Sequence, residues 1–227
     1  MTSRFIPAAL AALALALPAA ARAQGCIGAP VPEGRLAAQL QGSSATYGGT
    51  PDVDGMGIGG ALRFNPRGPF AASAEYGYSR VGDGDVPLHS GGVMLAFRAP
   101  VSAAGLSVCA RAGAMAARLE GSASGSTLDN FTFPVGLVLE LPVAVGTNGS
   151  ALVPYVAPSY LFSSTEGEVL GFEYGRNGNG PGVEAGLGLR FGRAAIAAGG
   201  SYSDLPEELV TTAVSSQSFF LRVGLLF

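Results

Sequence analysis

The chain has 227 residues, only 13% of them charged, and a formal net charge of −3 at pH 7. That charge is too small to argue for a nucleic-acid or an acidic partner. The charged share is about half of what a soluble domain carries. Every basic residue is arginine, tryptophan is absent and glycine occurs 35 times.

Residues 1–23 read as a secretory signal peptide. Arg4 supplies the positive start, Ile6 to Leu17 is an apolar run, and Ala21-Arg22-Ala23 fits the small-x-small cleavage rule. The run is too short for a membrane helix, and Pro18 interrupts it just beyond. Cys26 raises the lipoprotein alternative, but Ala23-Gln24-Gly25 lacks the leucine usual three positions before such a cysteine. No later stretch holds the eighteen or so consecutive apolar residues of a membrane helix. The mean hydropathy is nevertheless positive, +0.36. Strands that alternate one lipid-facing and one polar side chain produce that combination.

Residues 24–34 form an irregular lead with two prolines, and residues 35–227 a single domain built of strands. Strand one spans about 35–45, with Leu36, Ala38 and Leu40 on one face and Gln39 and Gln41 on the other. Strand two, about 55–65, has Met56, Ile58, Leu62 and Phe64 against Arg63. Strand three, about 70–81, sets Tyr76 and Tyr78 against Ser73, Glu75 and Gly77. A polar loop from Gly82 to Ser90 holds His89, the one histidine. Strand four, about 91–100, has Val93, Leu95 and Phe97 against Met94, Ala96 and Arg98. Strand five, about 106–119, places Cys109, Arg111 and Gly113 opposite Val108, Ala110 and Ala112.

Strand six, about 131–145, alternates Phe131, Phe133, Val135, Leu137, Leu139 and Leu141 with Thr132, Gly136 and Glu140. Gly146-Thr147-Asn148-Gly149 is a hairpin signal. Strand seven, about 151–163, is the least regular, with Pro154 and Pro158 on one parity. Gly167 to Pro181 is the longest loop, holding Phe172 and Tyr174. Strand eight, about 182–191, pairs Val183, Leu187 and Leu189 with Glu184, Gly186 and Arg190. Strand nine is about 194–203. Strand ten closes the chain, with Phe219, Leu221, Val223, Leu225 and Phe227 in one unbroken apolar row.

This last strand, ending on an aromatic, resembles the C-terminal strand of bacterial outer-membrane β-barrels. The resemblance implies that it shuts a barrel against strand one and is read by the barrel-assembly machinery. The whole domain looks like the small OmpA/OmpX-like outer-membrane barrels, although those commonly have eight strands. The expectation is an all-β fold, a closed antiparallel transmembrane barrel of ten strands with eight as the alternative. Long loops after the odd strands and short turns after the even ones fit that pattern. The expected setting is outer-membrane lipid, with no nucleic acid.

The second parity of the strands is sparse and small, as the inside of a narrow barrel requires. It also carries the charges. Arg63, Arg98, Arg111, Glu140, Arg190 and Arg222 are expected to form a layer near the periplasmic mouth, with Glu140 as its central acid. Two cysteines in an exported chain favour a Cys26–Cys109 disulfide over two free thiols. Cys109 shares the inner face and the lower end of that layer, so the bond would strap the lead across the mouth.

One histidine without a serine or acid motif around it offers no hydrolase constellation. No His/Cys cluster suits a metal, and a chain without lysine cannot complete a Walker motif. The expectation is therefore no catalytic, cofactor or metal site. Two roles stay open. One is a non-enzymatic barrel acting through long extracellular loops, with Phe172 and Tyr174 as contact candidates. The other is a narrow channel for small polar or anionic solutes that uses the arginine layer.

Overall fold

A computed structural model describes residue 26 and residues 35–48, 53–65, 69–83, 86–99, 106–121, 127–145, 150–169, 172–205 and 214–227. The expected signal peptide and the lead other than Cys26 lie outside these. The strands are β1 Arg35–Tyr47, β2 Val53–Asn65, β3 Phe70–Val81, β4 Val86–Arg98, β5 Ser107–Glu120 and β6 Thr127–Glu140. They continue as β7 Val143–Val145, β8 Ser150–Val169, β9 Phe172–Phe191, β10 Ala194–Leu205 and β11 Val214–Leu226.

All pairs are antiparallel and the sheet closes on itself, because β11 pairs with β1 as well as with β10. The wall has ten strands. β7 is no eleventh wall strand: it continues the register of β6 along β8, Glu140 facing Tyr155 and Val143 facing Leu152. The break falls at Pro142, which has no N–H to give to the ladder. Followed pair by pair from Tyr47 through Ser216, Ser203, Gly182, Ser159, Gly136, Arg111, Ala96 and Ala71, the register returns to β1 near Arg35. A stagger of about twelve residues tilts the strands by roughly 40°, as closure of a narrow barrel demands.

The seam is the C-terminal strand. Phe227 donates its N–H to the Leu36 carbonyl at 2.8 Å and accepts the Leu36 N–H at 3.3 Å. From there the pairing runs from Ala37↔Leu226 to Tyr47↔Ser216.

Burial is inverted relative to a water-soluble barrel. Leu40 is 75% exposed, Ile58 71% and Phe219 68%, all on the outer wall, while Ala37, Cys109 and Val138 inside are fully buried. An apolar band around a closed wall is stable only against hydrocarbon, where a sheet must also leave no open edge.

Several large inward side chains lie across a cross-strand glycine. A Cβ at Gly186 would stand 2.8 Å from the Tyr155 hydroxyl, one at Gly199 2.7 Å from the Phe220 ring, and one at Gly224 2.6 Å from Gln39. The glycines are sockets for the side chains that fill the lumen. Gly192 is needed for another reason, since its φ of 59° makes the tight turn between β9 and β10.

Two expected loops are strand. Residues 86–90 belong to β4, so His89 sits in the ladder, paired with Tyr78 and Arg118. Its imidazole Nδ1 lies 2.7 Å from the Tyr76 hydroxyl. The long loop of residues 167–181 is the upper part of a β8–β9 hairpin paired from Ala151↔Arg190 to Val169↔Phe172. Backbone hydrogen bonds between neighbouring strands need no particular side chains, so a Gly/Asn run extends a ladder once a partner strand lies beside it. The expected segregation of long and short connections is correspondingly weaker: β3 and β4 are joined by residues 82–85.

Candidate functional site: the lumenal charge network and its cup

The inward parity of six strands converges on one polar cluster. Gln39 and Gln41 come from β1, Arg63 from β2, Arg111 from β5, Tyr155 from β8, Glu184 from β9 and Arg222 from β11. Glu184 is the hub. Its Oε1 accepts from Arg222 Nη1 at 3.1 Å and from the Tyr155 hydroxyl at 2.9 Å. Its Oε2 faces Arg111 Nη1 at 3.6 Å. Arg222 Nε donates to Gln41 Oε1 at 2.7 Å, and its guanidinium lies 3.8 Å from the centre of the Phe220 ring. Arg63 Nε donates to Gln39 Oε1 at 2.7 Å, and Arg111 Nη2 to the Ala157 carbonyl at 3.3 Å.

Arg63, Arg111 and Arg222 are buried, and a buried ion tolerates its lost hydration only when partners and hydrogen bonds replace the water. Gln39 and Gln41 supply neutral acceptors to Arg63 and Arg222.

Of the six residues expected in the charge layer, the structure brings Arg63, Arg111 and Arg222 together here. Arg98, Glu140 and Arg190 lie nearer the end that holds the C-terminus. Arg98 ends β4 opposite Cys109, Glu140 ends β6 opposite Ser107, and Arg190 faces Ala195. Glu184, which the expected layer did not include, bridges Arg111 and Arg222. Strand alternation put Glu140 and Glu184 both inward, but only the stagger of the wall sets Glu184 level with Arg111 and Arg222. Tyr155 went unrecognised because β8 carries prolines on its outward parity and reads as irregular.

Below the network the lumen is filled. Cys26 is bonded to Cys109, with Cα atoms 5.5 Å apart, and the pair packs with Ala71, Ala96, Val138 and Ala157. Cys26 is therefore inside the wall and on the side opposite β1. Glu140, Val138 and Val153 are among the most completely buried side chains of the described residues.

Above the network lies a cavity of about 290 Å³. Arg63, Glu75, Arg111, Glu184 and Arg222 form its floor, and it rises to Ser203 near the loop end of β10. Phe172 and Tyr174 are far from it, at the tip of β8–β9, where their backbones pair with Val169 and Gly167. Their side chains lie outside the described part of the structure. On the outer wall, Arg118 makes a two-pronged pair with Asp129 at 2.7 and 2.8 Å.

A closed antiparallel wall with an apolar outside and a polar, filled inside is the transmembrane β-barrel of bacterial outer membranes. One solved structure shares this fold. The β domain of the Bordetella autotransporter BrkA superposes with a TM-score of 0.52 at 12% identity, over 86% of this chain and 99% of that one. Neisserial surface protein A (NspA) matches with a TM-score of 0.44 at 12% identity, over 85% and 97%. The outer-membrane protease OmpT from Escherichia coli matches with 0.46 at 9% identity, over 85% and 96%. No protein-family model matches the chain. No curated protein matches it in sequence.

Proposed function

We propose that this protein is a closed, non-enzymatic outer-membrane barrel whose role is carried by the surface it presents beyond the membrane. The observation that carries this reading is the filled lower lumen. Cys109, Val138, Glu140 and Val153 are all shielded from solvent, as side chains lining a water-filled pore would not be. The β8–β9 hairpin is the contact element. Its strands have 20 residues each where the other wall strands have 12 to 14, so β9 rises beyond β10, while β8 stays paired with β6 up to Glu168. Residues 172–181 of β9 pair with β8, and the pairing with β10 begins only at Gly182. Tyr160 donates to Asn179 at 2.6 Å and meets Phe162 edge to face, which stiffens the base of the hairpin.

The non-enzymatic reading draws support from His89. It is held on the outer wall by Tyr76 and Tyr78, away from the buried acids and the cavity. The Phe227–Leu36 seam supports the reading of the C-terminal strand as the segment that the assembly machinery recognises. A channel for small anions is the competing role, favoured by the arginines above the filled zone. Planar-bilayer recording of the purified protein decides between them. The closed reading expects no steady current, and a sustained anion-selective conductance would sink it.

A further inference from the structure

The cup above Glu184 has two chemically distinct parts. Its floor sets three guanidinium groups, Arg63, Arg111 and Arg222, against two carboxylates, Glu75 and Glu184. Glu184 alone is shared by Arg111 and Arg222. Among the lining residues the guanidiniums outnumber the carboxylates, and in a half-enclosed space an anion gains more from a charge-assisted hydrogen bond than it would in bulk water.

One side of the cup is apolar and built to be so. Met94 faces Gly113 and Met115 faces Gly92 across the β4–β5 ladder. A Cβ on Gly113 would come within 2.8 Å of the Met94 sulfur, and one on Gly92 within 2.9 Å of Met115 Cγ. Each thioether lies over the other strand's glycine, so two flexible, polarisable side chains form one continuous patch. Leu161 and Pro134 extend it. The facing side, on β10 and β11, is polar, with the Ser201 and Ser218 hydroxyls 2.7 Å apart.

We infer that the cup binds a small amphipathic anion, a carboxylate or phosphate monoester carrying a compact apolar group. The anionic head sits on the Arg111–Arg222 floor and the apolar body on Met94 and Met115. About 290 Å³ admits a molecule of that size and is small for anything larger. The inference rests on the closed-barrel reading, since it makes the cup a dead end rather than a stretch of a pore.

The methionines make the test direct. Besides Met1 the chain has Met56 on the lipid-facing wall and Met94 and Met115 in the cup. With the methionine methyl groups isotopically labelled and the full barrel refolded in detergent, benzoate, phenyl phosphate and benzyl alcohol are titrated in turn while NMR spectra are recorded. The two anions are expected to shift the Met94 and Met115 signals saturably and leave Met56 in place, and the alcohol is expected to shift none. Arg222→Gln should weaken anion binding by about tenfold, the worth of one charged hydrogen bond. Glu75→Gln, which leaves the Glu184 hub intact, should tighten it several-fold.

Equal response to benzyl alcohol, a parallel shift of Met56, or no response to either anion would each overturn the proposal. A conducting barrel that still binds the anions would break the closed reading and not this one. A silent barrel that ignores them would do the reverse.

Discussion

The two halves of the lumen are built from the same parity of the same strands and end in opposite states. Toward the C-terminal end, Glu140, Val138, Val153, Tyr155 and the Cys26–Cys109 bond leave no room for solvent. Toward the loop end, the inward positions shrink to Ser43, Gly59, Gly77, Ser79 and Ser90 around open space. The wall does not change between them, but side-chain volume does. A narrow barrel becomes a plug or a cup according to whether large inner residues find a glycine socket across the ladder, as Tyr155 does at Gly186 and Phe220 at Gly199.

That difference can be broken from either side. The largest effect is expected at the boundary. Glu184→Ala leaves Arg111 and Arg222 buried without their shared acid, and should lower stability by about 3–5 kcal/mol in urea unfolding of the detergent-refolded barrel. An unchanged midpoint would mean that water already hydrates the floor. Next comes the bond that ties Cys26 into the lower half. It closes a separation of 83 residues. The paired change Cys26→Ser and Cys109→Ser should cost about 2–5 kcal/mol by the same measurement, and reduction of the wild-type protein should match it.

The smallest effect on stability belongs to the region outside both halves. Replacing residues 167–174 of the β8–β9 tip by Asn-Gly should change barrel stability by no more than about 0.5 kcal/mol, since the ladder from Ala151↔Arg190 to Glu166↔Gly175 is kept. On the surface-contact reading it should also remove any binding of other surfaces that the wild-type protein confers, measured on cells displaying each form. A large loss of stability would show that the hairpin braces the wall rather than serving contact.

How much of this is legible in the sequence varies by element. The closing row from Phe219 to Phe227 repeats with period two and has one charge on its inner side, so its role can be read directly. Parity alone places Cys109 on the inner face, and the bond to Cys26 lies inside the wall. Residues 82–90 and 167–181 read as loops because glycine, asparagine and proline signal turns in isolation, while a neighbouring strand supplies hydrogen bonds to any backbone. Glu184 as the acid shared by Arg111 and Arg222 was not legible for another reason: alternation tells which face a residue takes but not its height, and height comes from the stagger.

By itself the sequence determined the class of structure, the even strand count, the inside-out distribution of apolar and polar residues, and the cysteine pairing. Those follow from local alternation and from the cost of an unpaired edge in hydrocarbon, which act on each strand separately. Only the tertiary structure decided which inner charges meet, which glycines serve as sockets for Tyr155, Phe220, Met94 and Met115, and where the plug gives way to the cup. Each of these depends on the register summed over ten strands, and a shift of two residues in one ladder would preserve every alternation while separating Glu184 from Arg222.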